Sequence, residues 1–275
     1  MGTLYLVATP IGNLEDITLR ALRILREVTL VAAEDTRSAS VLLKHHGIVA
    51  RVTSYNEHNA RAKTPGLIDS LARGDVALIS DAGMPAISDP GHDLVVAALE
   101  AGHTIVPIPG ASAVIAAVAA SGLSSRCFHY LGFLPRQSGP RRRALLAGAA
   151  SGDTLVVYES PHRLRATLED VIAALGDRRV AVCRELTKMY EEIWRGAASE
   201  ALAYFAEPRG EFTLVIEGGP PTAPKIAETP ADVVHELRAS RTESKLAVAE
   251  LMRRGGLSRR AAYALWHTDQ ARRRP

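Results

Sequence analysis

Cysteine is nearly absent from this chain of 275 residues: Cys127 and Cys183 are the two, and they have no metal-ligand spacing. A reducing, cytoplasmic setting is the simplest one for such a chain. There is no run of 18 apolar residues and no signal-peptide pattern at Met1, so nothing points to export or to a membrane. No G-x-G-x-x-G follows the first apolar run, and G-x-x-x-x-G-K-[ST] occurs nowhere, which counts against a Rossmann or P-loop enzyme. G-x-S-x-G and H-E-x-x-H are missing too, which removes the commonest hydrolase signatures. His45 and His46 are adjacent, so on a helix they point about 100° apart and share a metal ion poorly. No metal site is expected. The excess of positive charge is small, +3, and total charge alone is no nucleic-acid signature.

What is present is a hydrophobic content of 47%, enough for a sizeable core in one large or two medium domains. The first forty residues carry the clearest pattern. Leu4 to Ala8 is a short branched apolar run that stops at Thr9-Pro10-Ile11-Gly12-Asn13. A helix-period segment from Leu19 to Val28 follows, and a second run, Leu30 to Ala33, stops at Glu34-Asp35-Thr36-Arg37. Twice a buried-type strand runs into a polar loop, the place where open α/β sheets bind ligands.

The alternation continues. Val76 to Ile79 and Thr104 to Ile108 read as strands, and Ala60 to Arg73, His92 to Glu100 and Ala111 to Ala120 as helices. Such βα units predict a mostly parallel sheet with helices on both faces over residues 1–120. A second α/β domain is expected over residues 121–219. Its strands are Thr154 to Val157, Arg179 to Cys183 and Phe212 to Ile216, and its helices Arg141 to Ala150 and Leu164 to Leu175. The stretch from Gly218 to Pro230 holds Gly219, Pro220, Pro221, Pro224 and Pro230, and residues 220–230 read as a linker. Residues 231–275 read as all-helical: Val233 to Arg238, Glu243 to Arg254 and Ser258 to Trp266, with Ser258 as an N-cap after a Gly-Gly turn. Three helices with a tight turn resemble a helix-turn-helix module, although a packing appendage has the same pattern.

Several polar clusters could carry chemistry. Ser80-Asp81-Ala82-Gly83-Met84-Pro85 follows a strand; small residues let the backbone approach a ligand, and Asp81 suits a cation. The plainer reading is a turn capped by the Asp. Glu34 and Asp35 stand beside Arg37, fit for a hydroxyl and a phosphate respectively, or simply for a helix N-terminus. Arg184-Glu185 with Lys188 is a comparable cluster, and Asn56-Glu57-His58-Asn59 is a polar block after a strand-like run. Arg outnumbers Lys 28 to 5, and its forks suit phosphate. Arg141-Arg142-Arg143, Arg253-Arg254, Arg259-Arg260 and Arg272-Arg273-Arg274 are clusters; of these Arg141, Arg142, Arg143, Arg253, Arg254, Arg259 and Arg260, with Arg20, make a candidate RNA-binding set.

Taken together, TPIGNLEDITLRA (Thr9 to Ala21), AAEDTR (Ala32 to Arg37), SDAGMPAISDPG (Ser80 to Gly91), VPIPGASA (Val106 to Ala113), GFLPR (Gly132 to Arg136), YESPHRL (Tyr158 to Leu164), RELTK (Arg184 to Lys188) and GEFTLVIEG (Gly210 to Gly218) resemble the ribosomal RNA small-subunit methyltransferase I family, within the tetrapyrrole-methylase-like enzymes. The resemblance implies two α/β domains with S-adenosylmethionine in the cleft between them. The loops that would hold it bring Pro10, Ser80, Asp81, Ala82, Gly83, Ser112, Ala113, Tyr158, Glu159, Leu186, Thr187, Phe212 and Thr213. It implies 2′-O-methylation of a cytidine in the decoding region of 16S ribosomal RNA, on the RNA or the small ribosomal subunit. A cytoplasmic homodimer is implied as well. Glu34, Asp35 or Glu185 would accept the hydroxyl proton, with Arg37 nearby. The alternatives are a tetrapyrrole C-methyltransferase, which would need a Gly-rich first loop absent here, or a non-catalytic RNA-binding factor. Only Leu257 to Tyr263 resembles the family's tail.

Overall fold

The computed structural model describes residues 2–220, 233–234, 237–238, 242–255 and 257–271. The chain forms two compact units, Met1–Pro220 and Pro221–Pro275. The first unit holds two five-stranded sheets.

The first sheet is parallel throughout, in the order β3-β2-β4-β1-β5, with β1 Thr3–Val7, β2 Leu30–Ala33, β3 Val52–Ser54, β4 Val76–Ile79 and β5 Thr104–Ile108. β2 (LVAA) and β4 (VALI) are buried at every residue, as parallel strands covered on both faces must be. Alternation along them feeds two cores. Val31, Ala33, Ala77 and Ile79 pack with Ile24 and Leu25 of α1 (Leu19–Glu27) and Leu43 of α2 (Thr36–His45). Leu30, Ala32, Val76 and Leu78 pack with Leu67 and Leu71 of α3 (Ala60–Arg73) and Leu94 of α4 (His92–Glu100).

Because β1 leads through α1 to β2 and β4 leads through α4 to β5, neighbouring strands β1 and β4 send the chain in opposite directions over opposite faces. The crevice of this sheet therefore opens at the carboxyl ends of β1 and β4.

The second sheet is mixed, in the order β6-β7-β10-β8-β9, with only β6 and β7 parallel. Its strands are β6 Phe128–Phe133, β7 Thr154–Glu159, β8 Arg179–Arg184, β9 Glu192–Ala197 and β10 Phe212–Ile216. One face packs on α6 (Ser138–Gly148), α7 (Pro161–Leu175) and α8 (Ala198–Tyr204). The other is covered by α5 (Ala113–Ser121), whose Val114, Ala117 and Val118 lie on Val156, Ala181, Cys183 and Val215. By packing, α5 goes with the sheet that follows it, so the two sheets are joined through a helix as well as a loop.

Strands β6 and β9 were not among the expected elements. Both are sheet edges, without the continuous apolar run of a central strand, and β9 carries Glu192 and Arg195. α6 and α7 begin one turn earlier than expected. Pro140 and Pro161 sit in their first turns, where the missing N–H costs nothing.

In the second unit, α9 (Ser244–Gly255) and α10 (Arg259–Ala271) join helical backbone at Val233, Val234, Leu237 and Arg238. Val233, Leu237, Ala247, Leu251, Ala262 and Trp266 form its core. Ser258 caps α10 as expected, its Oγ accepting from Ala261 N at 3.3 Å. Arg238 lies over the Trp266 ring at 5.1 Å. Of the linker expected at 220–230, residues 221–230 lie outside the described residues, as do the side chains of Arg253 and Arg254, and Arg272 to Arg274. Among the described residues no helix is long and apolar enough to cross a membrane.

Candidate active site

The loops after β1 and β4 are pinned to each other across the crevice. Thr9 N donates to Gly83 O (2.9 Å), Gly83 N to Thr9 O (3.1 Å), and Thr9 Oγ1 to Ser80 O (3.2 Å). Pro10 is buried beside this bridge. Gly12 then meets the loop that leaves β8. A Cβ at Gly12 would stand 2.5 Å from Lys188 Cγ, 2.9 Å from Thr187 Oγ1 and 3.0 Å from Leu186 O. Only glycine lets the two sheets' loops approach this closely.

The backbone is strained around this meeting point. Ala86 (φ 68°), Ser88 (φ 60°), Glu185 (φ 49°) and Thr187 (φ 68°) all occupy the left-handed region without being glycine. Such residues cluster at functional sites because the surroundings must hold them there. Thr187 Oγ1 is buried and has no close hydrogen-bond partner among the described residues.

Three carboxylates gather at the carboxyl edge of the first sheet. Glu34 Oε2 accepts from Asp81 N at 3.3 Å. Burial raises its pKa, and the nearby Asp81, Glu57 and Asp35 add to the rise against the Asp81 N–H. Asp89 is pushed up to about 6, by burial first and then by Glu34 and Asp81, while the Ser80 hydroxyl offsets this in part. Asp89 was not singled out from the sequence, although it lies inside the Ser80–Gly91 block. A surface Asp in a turn has the same local pattern; what distinguishes Asp89 is its distant neighbours.

Asp35 has a different role from Glu34. It caps α2, accepting from Arg37 N at 2.8 Å, and its carboxylate holds the Arg37 guanidinium (Nη2 to Oδ2, 2.5 Å). The Arg37 hydrogen bonds hold Asp35 down at about 2. Glu185 is likewise engaged: Oε1 accepts from Lys188 Nζ (2.9 Å) and Glu211 N (2.8 Å). Burial alone would raise Glu185, but Lys188 and the Glu211 N–H outweigh it and its pKa is lowered.

Ala113, Tyr130 and Tyr158 pack on the α5 face of the second sheet, and Asp89 lies near enough to act on both phenols. Ser112 caps α5, its Oγ accepting from Ile115 N at 3.5 Å. The Ser88 and Tyr130 hydroxyls are 2.7 Å apart, so the β4 loop of the first sheet reaches β6 of the second. Burial pushes both phenols above their ordinary range, and they stay neutral. Thr213 pairs across the sheet with Tyr158 and is buried. Asp81 and Ala82 are exposed at the mouth; Leu186 is packed beneath α5.

Three sequence-derived candidates are placed elsewhere. Glu159 follows Tyr158 by one residue and so points to the other face, under α7. There it accepts from Thr167 Oγ1 (2.6 Å) and its own neighbour Ser160 N (2.8 Å), and pairs with Arg163. Phe212 faces that same interior core. Arg141 is no surface arginine: its side chain is 5% exposed, paired with Asp170 at 2.6 Å and donating to Arg136 O and Ala166 O, which locks α6 to α7. Arg142 is half-exposed and shares Asp170, while Arg143 and Arg20 are exposed, as are Arg259 and Arg260 in the other unit. Among the described residues no group of three His, Cys, Asp or Glu side chains is placed to hold a metal ion.

Residues 3–202 match the family model of Tetrapyrrole (Corrin/Porphyrin) Methylases. A curated relative from Halalkalibacterium halodurans, named "Ribosomal RNA small subunit methyltransferase I", is 47% identical over 98% of this chain and 96% of its own length. One of the same name from Synechocystis is 46% identical over 96% of this chain and 97% of its own. Among solved structures, a diphthine synthase shares the fold with a TM-score of 0.61 at 18% identity, covering 78% of this chain and 90% of that one. With two α/β sheets meeting at a crevice of carboxylates, and near-half identity along the whole chain, this protein belongs to the tetrapyrrole methylases and, within them, to the ribosomal RNA small subunit methyltransferase I family of enzymes.

Proposed function

We propose that the chain methylates the ribose 2′-hydroxyl of a cytidine in the decoding region of 16S ribosomal RNA, using S-adenosylmethionine. The observation that carries the reading is the convergence of Ser80–Gly83, Ser112-Ala113 and Leu186-Thr187 on one crevice rimmed by Glu34, Asp81 and Asp89. The donor set fits the cofactor. Carboxylates suit an ammonium and ribose hydroxyls, and the unpartnered Thr187 Oγ1 is a free hydrogen-bonding group in the buried wall. When bound, S-adenosylmethionine supplies an electrophilic methyl group on a sulfonium.

The protein's share is alignment and proton removal. With the methyl group supplied by the bound cofactor, the part left to the chain would be to take the proton that the 2′-hydroxyl gives up, and a carboxylate of the crevice would accept it. Asp35, held at about 2, and Glu185, tied to Lys188, are weak acceptors. Asp89, raised to about 6 by burial first and then by the nearby Glu34, is the stronger one, because a general base works best with a pKa near the operating pH. The second unit adds RNA affinity through its exposed Arg259 and Arg260. A cytoplasmic homodimer follows from the family resemblance, and the exposed Met189 and Tyr190 beside the crevice offer a second copy apolar surface.

The test is transfer of labelled methyl groups from S-adenosylmethionine to small subunits of a strain lacking this enzyme. One ribose-methylated cytidine in 16S RNA is expected. Label on a base, on protein, or on nothing overturns the reading.

A further inference from the structure

Strand β6 contains one residue too many. Tyr130 pairs with Val156 and Phe133 with Tyr158, so three steps along β6 match two along β7. The extra residue is taken up at Gly132, whose φ of 62° a side chain would resist. In a regular strand Phe133 would lie on the face of Leu131, which packs into the core beneath α6 and α7. The bulge turns it over, onto the face of Tyr130 and Tyr158. Its ring centroid is 5.6 Å from that of Tyr158, at 60°, and Tyr158 is 5.2 Å from Tyr130.

The result is no gain for folding. Phe133 is 58% exposed, whereas the next residue, Leu134, is 3% exposed. An apolar ring that could have been buried is held in water, braced by two tyrosines, beside the loop that bears Ser88 and Asp89. Ser88 Oγ would lie 3.4 Å from a Cβ at Gly132, so the bulge itself rests against the crevice loop. Bulges next to active sites commonly serve to re-aim a side chain.

We infer that Phe133 is the stacking platform for the unpaired nucleobase of the nucleotide being methylated, with Tyr130 and Tyr158 bracing the ring. This rests on the reading that the substrate is RNA. RNA is read where bases can be splayed out, and a splayed base is held by an aromatic face. The flat ring, rather than its volume, does the work: leucine would fill the place and present no π-face.

The experiment compares Phe133→Tyr, Phe133→Leu and Phe133→Ala for methyl transfer to small subunits, with S-adenosylmethionine binding followed by calorimetry. Phe133 is exposed, so all three are expected to fold. The alanine and leucine variants should lose about 5- to 150-fold in kcat/KM, the range for one base–aromatic stack. Tyrosine should retain near-normal activity, and cofactor affinity should be unchanged in all. Leucine behaving like tyrosine overturns the platform. So does a matching fall in cofactor affinity, which would put the ring against the cofactor instead. Phe133→Trp gives a readout independent of transfer: its emission, in excess of that of the unmodified protein, should be quenched by a single-stranded oligoribonucleotide. Failure of the unmodified protein to methylate small subunits refutes the proposed reaction; absence of quenching refutes the platform.

Discussion

Replacing Asp89 with Asn should stabilise the protein while disabling it. The ordinary value for this carboxyl is 3.8, and burial, Glu34 and Asp81 push it up to about 6. A pKa raised in the folded state means that ionisation opposes folding. Stability is fully present below the unfolded value and is lost as the pH rises through the folded one. Two pH units correspond to about 3 kcal/mol, and because Asp89 is only half-buried, solvent screening reduces this to about 1.5 kcal/mol. Asp89→Asn removes the ionisation, so near pH 7.5 the variant should melt about 3–6 °C higher, at roughly 2–4 °C per kcal/mol for a unit of this size. Near pH 4 the advantage should shrink to a small fraction, since the native carboxyl is then largely protonated in the folded protein. Methyl transfer should fall by about 10²-fold or more, the usual worth of a general base. In the native enzyme activity should rise with pH through about 6. Thermal denaturation at the two pH values, beside initial rates across the range, makes the check. A variant no more stable at pH 7.5, or equally stabilised at both, refutes the argument from burial. A stabilised variant with full activity refutes the catalytic assignment alone.

Gly12→Ala would drive its Cβ into Lys188 Cγ and Leu186 O and wedge the two loops apart; overpacking of this kind costs about 1–3 kcal/mol, and calorimetry should show weakened S-adenosylmethionine binding. Arg141→Ala leaves the buried Asp170 with Arg142 and the Ser138 hydroxyl, so denaturant unfolding should show a loss below the ~3–5 kcal/mol of a buried charge left wholly unpaired, about 2 kcal/mol. RNA binding by Arg141→Ala should keep its salt dependence, because that guanidinium is buried against Asp170. Removal of residues 231–275 should flatten the slope of log RNA affinity against log salt by about 0.7–0.9 for each phosphate the shortened chain no longer neutralises, with cofactor affinity intact. An unchanged slope would make the second unit a packing element.

The sequence alone was enough for the family and for the central strands. β2 and β4 are apolar at every position because both faces are covered, and their shortness between polar loops reads as strand rather than buried helix. The Thr9–Gly12 and Ser80–Pro85 loops stood out because strands end at them, and the structure pins them to each other through Thr9 and Gly83. Edge strands β6 and β9 stayed hidden, since an edge makes fewer demands on its residues. Side-chain roles were decided by partners distant in sequence. Arg141 became a buried strut through Asp170, 29 residues away. Asp35 went to a helix cap while its neighbour Glu34 reached Asp81, 47 residues on. Asp89 is set apart by Glu34 and Asp81, and Phe133 by a register shift in pairing with β7. Local pattern determines what a segment can bury; only tertiary packing determines which charges lose water together and which way an extra residue turns a ring.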